Sequence, residues 1–400
     1  MVQPSRVAIL LAWLAAAFAA CTQVESGKTP PGVSVGANGS GGEADGGSGP
    51  LSGAAGESDG GSGISSAGSP GSLELGIWPT FARQGQEPAD AAAVLASIAA
   101  LSAGSAALPI YERWDELSGA TGTPRAITWQ RLDAMVAPYR DRGKALALCI
   151  GIVDRTSPAW PFAGELDSAA AAVAIEATID EVFERYSPQL SHLCFGYEVD
   201  RYLAEASGAE GSRLLGFLQH AIDYASDHPQ RSQTTALGIA VTLASAGNAQ
   251  ALAELALGTE VFAVYDPLDE AAALKAPEAI ADELTAALEA LPTLEGAPKQ
   301  LALFEAGYPS GADAGSSEEQ QRAFYEALFA TLDARTSEVT FVSLFGLGDR
   351  SAVDCELEAA AFGAPLEERA LARCSVGLRA EAGEPKLAWP SVLAALSRYR

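Results

Sequence analysis

From Leu73 to its end, the chain alternates short apolar runs with longer alanine-rich segments of helical period. No other feature constrains the fold as strongly. An apolar run without polar alternation suits a parallel strand buried on both faces, and the helix after it returns the chain to the same edge. The runs are Leu73–Trp78, Ala106–Tyr111, Lys144–Val153, His192–Asp200, Ala236–Leu243, Glu260–Tyr265, Gln300–Glu305 and Glu338–Phe345. Helices are expected at Ala89–Leu101, Thr128–Arg142, Ser168–Tyr186, Gly211–Ser226, Ala249–Leu257, Pro277–Leu291, Ser317–Ala334 and Trp389–Tyr399. Ser317 followed by acidic residues is a good amino-terminal cap. Eight units with a period of about forty residues predict an α/β fold, a (β/α)8 TIM barrel over residues 73–400. An open doubly wound sheet is the other arrangement. No GxGxxG follows the first run and no odd strand is left over, which favours closure.

Ahead of the barrel, Arg6 precedes an apolar run, Val7–Ala20, and then Cys21. The run is too short for a mature membrane span and fits a secretory signal segment. Phe18-Ala19-Ala20-Cys21 resembles the lipobox of bacterial lipoproteins, with Phe18 where leucine is usual. The resemblance implies a signal peptide over residues 1–21 and lipidation of Cys21. Thr22, in place of aspartate, implies the outer membrane or cell surface. An ordinary signal peptide cut nearby, giving a secreted or periplasmic protein, is the alternative. Residues 22–72 are almost wholly Gly, Ser, Ala and acidic, and cannot bury enough surface to offset their ordering entropy. They are expected to form a disordered tether spanning roughly 40 Å. Contact with membrane is thus expected through the lipid anchor only.

The formal net charge of −26 excludes nucleic acid as a partner. The three histidines, His192, His220 and His228, form no HExxH, and no Cys/His cluster appears, so neither a zinc-type site nor another cofactor is expected. Cys355 and Cys374 flank an irregular stretch, and export permits a disulfide between them. Cys149 and Cys194 lie within strand cores and read as buried small apolar residues. A monomer is expected.

Two runs end in a carboxylate: HLCFGYEVD places Glu198 at the end of the fourth, and LALFEAGYPS places Glu305 at the end of the seventh. In a closed barrel the carboxyl ends of all strands share one face, so these groups can converge. Paired carboxylates are the minimum equipment for cleaving a glycosidic bond. GYEVD at Gly196–Asp200, FEAGYPS at Phe304–Ser310, YDPLD at Tyr265–Asp269 and LFGLGD with GEPKLAW near the carboxyl end resemble the clan A retaining glycoside hydrolases, endo-β-1,4-galactanases among them. The resemblance implies Glu198 as general acid/base and Glu305 as nucleophile. It implies a carbohydrate substrate, with Tyr265 or Arg113 orienting Glu305 and with Trp78, Trp114 and Trp160 as stacking platforms. Where that family has asparagine before the acid, holding the sugar 2-hydroxyl, this chain has Tyr197, which can still offer a hydroxyl to the substrate, and a histidine often found after strand five is missing. Three readings follow: a retaining glycosidase, a catalytically impaired carbohydrate-binding barrel, and a structural surface lipoprotein.

Overall fold

The computed structural model describes residues 73–79, 106–119, 121–269, 273–294, 297–351, 355, 372–380 and 383–399. The signal segment, the tether and the expected helix Ala89–Leu101 lie outside the described residues. Eight parallel strands form the centre: β1 (Glu74–Ile77), β2 (Ala106–Arg113), β3 (Leu146–Asp154), β4 (Leu190–Tyr197), β5 (Ala236–Thr242), β6 (Glu260–Val264), β7 (Gln300–Ala306) and β8 (Val339–Leu344). Each pairs with the next in sequence, and β1 pairs with β8, so the sheet closes on itself as a (β/α)8 barrel. The strands are buried almost throughout, β4 at every position, which is why they read as unbroken apolar runs.

Around them lie α1 (Ala126–Arg140), α2 (Ala169–Tyr186), α3 (Val199–Glu205), α4 (Gly208–Asp227), α5 (Ala249–Leu255), α6 (Ala279–Ala290), α7 (Glu318–Ala334) and α8 (Trp389–Arg398). In α2 the buried positions Ala171, Ile175, Ile179, Val182 and Tyr186 recur at intervals of three and four, the stripe a helix needs to lie on a sheet. Ser168, Ser207 and Ser317 cap α2, α4 and α7, each accepting a bond from a backbone N–H in the first turn. The short helix α3 was not expected. It begins directly after Glu198.

Inside the barrel, small residues (Ala107, Ala147, Ala240, Ala302) alternate with Phe262, Phe304 and Phe341. Cys149 and Cys194 belong to this interior. They are directly opposite one another on β3 and β4 and are joined by a disulfide. Reading them as independent apolar residues is therefore corrected: strand register brings their Cα atoms to 4.5 Å, within bonding range. Cys355 and Cys374 are also bonded.

At the amino-terminal end of the barrel, His192, Glu74 and Glu260 form a buried polar cluster. His192 Nε2 lies 3.5 Å from Glu260, and Ser191 bridges His192 and Glu74. Burial pushes Glu260 up to about 7 and His192 down to about 3, so both favour their neutral forms.

Candidate active site

The carboxyl-terminal mouth is built from the ends of β2, β3, β4, β6 and β7 and from the segment after β8. At the end of β4, Gly196 adopts φ 74° and Glu198 φ 50°. A side chain at position 196 would meet Val199 at 2.5 Å, so only glycine fits there. For Glu198 the left-handed conformation costs on the order of 1 kcal/mol, a kind of strain that clusters at functional sites. Together the two turns hold Tyr197 and Glu198 at the rim. Arg155, after β3, is also left-handed at φ 57°, and its backbone N–H donates to the Tyr197 carbonyl at 2.9 Å.

Glu305 and Glu198 are both buried, at 4% and 2% exposure. Glu305 accepts a hydrogen bond from the Tyr197 hydroxyl on one oxygen and is ion-paired with Arg373 on the other. Arg373 also donates to the Tyr197 oxygen at 3.3 Å. Glu198 pairs with Arg155 Nε at 3.4 Å and with Arg201 Nε at 2.6 Å, and Arg201 reaches on to Asp266 at 2.5 Å. Glu198 also acts electrostatically on Glu305 and on Arg373. The two carboxylates thus share one polar cluster, threaded by three guanidiniums and one phenol.

Burial pushes the Glu305 carboxyl above its ordinary value. Arg373, the Tyr197 hydrogen bond and Arg155 pull it back, and Glu198 adds to the rise. Burial pulls the Arg373 guanidinium down, but Glu305, Tyr197 and Glu198 outweigh it and push it well up. The Tyr197 phenol is pushed well up by burial and by Glu305, so it stays a donor.

Several expected site residues lie elsewhere. Arg113 does not reach Glu305; it forks onto Asp115, with both contacts at 3.0 Å, and touches Asp154 at 3.4 Å. Tyr265 does not orient Glu305 through its hydroxyl. Its ring packs on Phe324 and under Lys275, and only its backbone N–H donates to the Glu305 carbonyl, at 2.8 Å. Trp114 is fully buried between Phe162 and Phe217 and donates to Thr178 at 3.0 Å, so it is core and not a platform. It opens a short helical turn after β2, and that turn faces it inward. Trp78 lies at the end of β1, half-buried, edge-on to Phe304 and Phe345. Trp160 is half-buried against Tyr202.

Arg155, Arg201 and Arg373 were not singled out from sequence. Arg155 had a signal, since it lies two residues past the third run. Arg373 had a weaker one, its place beside Cys374. Among the described residues no group of three or more His, Cys, Asp or Glu side chains is arranged to hold a metal ion.

No family model and no curated sequence matches the chain. Solved structures do. A GH5_18 protein from Bifidobacterium longum subsp. longum superposes with a TM-score of 0.60 at 14% identity, covering 83% of this chain and 80% of that one. An exo-β-1,4-mannosidase from Opitutaceae bacterium strain TAV5 gives 0.57 at 14%, covering 83% and 61%. β-Glucuronidase 2 of Bacteroides uniformis gives 0.53 at 13%, covering 82% of this chain but 35% of that one. At these identities the likeness is one of fold: the chain has the barrel that these glycoside hydrolases have.

Proposed function

We propose that the protein is a glycoside hydrolase of the retaining type, acting on a poly- or oligosaccharide at the carboxyl-terminal mouth of the barrel. The observation that carries this reading is the shared cluster of Glu305, from β7, and Glu198, from the end of β4. In the reaction Glu305 attacks the anomeric carbon as Glu198 protonates the departing oxygen. Glu198 then takes a proton from water, whose oxygen displaces Glu305. Retention requires the carboxyl groups about 5 Å apart. The barrel shared with GH5_18 proteins, one of them solved with Manβ1-4GlcNAc, makes β-mannosides the first substrates to try.

The test is release of reducing sugar from β-linked mannans, galactans and glucans, and of nitrophenol from aryl β-glycosides. Turnover by the wild type, reduced on the order of a thousandfold or more in Glu305→Gln, is expected. Equal turnover by both would end the assignment.

A second reading is a carbohydrate-binding barrel without turnover. It is favoured by the guanidinium pairing of both carboxylates and by Tyr197 in the place of asparagine. Oligosaccharide binding by calorimetry, without product over days, is its signature. Coverage of Glu305 by Arg373 also favours a structural surface lipoprotein, for which neither binding nor turnover is expected. We propose further that Cys21 carries lipid, tested by loss of radiolabelled palmitate in Cys21→Ser.

A further inference from the structure

We propose that Arg373, borne on the segment stapled by the Cys355–Cys374 disulfide, is the positioning residue that orients and charge-balances the Glu305 carboxylate, in the role that Arg113 does not fill. The catalytic consequence of this assignment rests on the hydrolase reading; the assignment itself does not.

The geometry is specific. Arg373 is the guanidinium that contacts Glu305 among the described residues, while Arg113 is turned onto Asp115 and Asp154. The Arg373 guanidinium lies 5.0 Å from the centre of the Phe345 ring, and its side chain is 16% exposed. An apolar flank on one side and the Glu305 carboxylate on the other leave little solvent to weaken the pair. The facing titratable and charged groups are Glu305 on β7, Tyr197 and Glu198 at the end of β4, and Arg155 after β3.

The backbone that carries Arg373 is fixed on its carboxyl-terminal side. Downstream, Arg350 donates to the Cys374 carbonyl at 3.1 Å and Ser310 to that of Ser375 at 3.0 Å. Gln321 Nε2 donates to Val376 and Gly377 at 3.1 and 3.2 Å, and the Arg379 N–H bonds Leu347 at 2.9 Å. Beside Arg373 itself, the disulfide ties Cys374 to the buried Cys355. A long side chain held this way loses little further freedom on meeting its partner, so its charge acts at full strength.

The test follows the Glu305 carboxyl directly. The full chain is titrated by infrared spectroscopy, and the spectrum of the matching Glu305→Gln variant is subtracted to isolate the Glu305 band. Arg373→Met is expected to move the midpoint up by at least about one pH unit, the size of one neighbouring opposite charge. Arg373→Lys keeps a cation and is expected to move it less. The pair Cys355→Ser with Cys374→Ser keeps Arg373 and is expected to move it in the same direction. An Arg373→Met midpoint equal to wild type overturns the inference. If that variant does not fold, unmoved midpoints in both the lysine and the serine variants overturn it.

With p-nitrophenyl β-mannoside as probe, the acid limb of kcat/KM is expected to shift with the infrared midpoint, and lysine to restore more rate than methionine. A shift in the infrared with no turnover by wild type on any aryl glycoside would sink the hydrolase reading and leave Arg373 in its role.

Discussion

The Tyr197 hydroxyl, at the end of β4, donates to Glu305 on β7, with β5 and β6 between the two strands. Strand four thus leads into Glu198 and supplies the hydrogen-bond donor to Glu305. Tyr197 precedes one carboxylate in sequence and bonds the other in space.

Tyr197→Phe removes that donor and leaves the ring tilted against Tyr111, with centroids 4.8 Å apart. A hydrogen bond to a buried carboxylate contributes about 2 kcal/mol. Urea unfolding is expected to show a loss of that order. Because the bond pulls the Glu305 carboxyl down, its midpoint is expected to rise in the variant. An unmoved midpoint would show that the contact does not form.

The cluster beneath the barrel predicts an unusual dependence on pH. Glu260, at about 7 against an ordinary 4.5, contributes stability that is present below 4.5 and lost as pH rises through 7. His192, at about 3 against 6.5, contributes stability that is present above 6.5 and lost as pH falls through 3. Between pH 4.5 and 6.5 the two slopes oppose, and they largely cancel. Glu260→Gln removes the first slope. Relative to wild type it is expected to gain about 3 kcal/mol between pH 4.5 and pH 8. Urea midpoints across that range check this, and a constant difference between the two proteins counts against it.

Trp114 and Trp160 are expected to separate stability from binding. Trp114→Ala empties a sealed site and is expected to cost about 3–5 kcal/mol, with binding by the folded fraction unchanged. Trp160→Ala is expected to cost clearly less in stability. Titration calorimetry with manno-oligosaccharides and thermal unfolding, run on both variants, distinguish the cases. Equal stability losses would show that Trp160 is core as well.

The Cys149–Cys194 bond closes a loop with a sequence separation of 45, for which chain entropy predicts about 4 kcal/mol. The double alanine variant is expected to unfold at correspondingly lower urea. In the native wild type neither sulfur is expected to react with iodoacetamide, and labelling of either would contradict the bond.

The barrel was legible because its signal is local. An apolar run such as Lys144–Val153 fills a strand buried on both faces, and Val136 and Tyr139 mark the inner face of α1. Glu198 and Glu305 were legible as carboxylates at strand ends for the same reason. What could not be read was pairing across sequence distance. Arg373 meets a partner 68 residues away, and nothing in either neighbourhood announces it. The reading of Trp114 failed on the turn after the strand: β2 runs on to Arg113, and the helical turn that follows buries the indole in the core. Cys149 and Cys194 were each placed in the right strand. Their bond depends on register between β3 and β4, which hydrophobic patterning does not encode to the residue.

That bond has a consequence for the rim above it. Sliding β4 by one position against β3 would turn Cys194 to the outer face and tear the linkage. While the sulfurs stay joined, the chain that carries Arg155 and the chain that carries Glu198 must surface at matched heights. A copy that matured without oxidation would have no such lock, and its guanidinium and carboxylate would be free to arrive out of step.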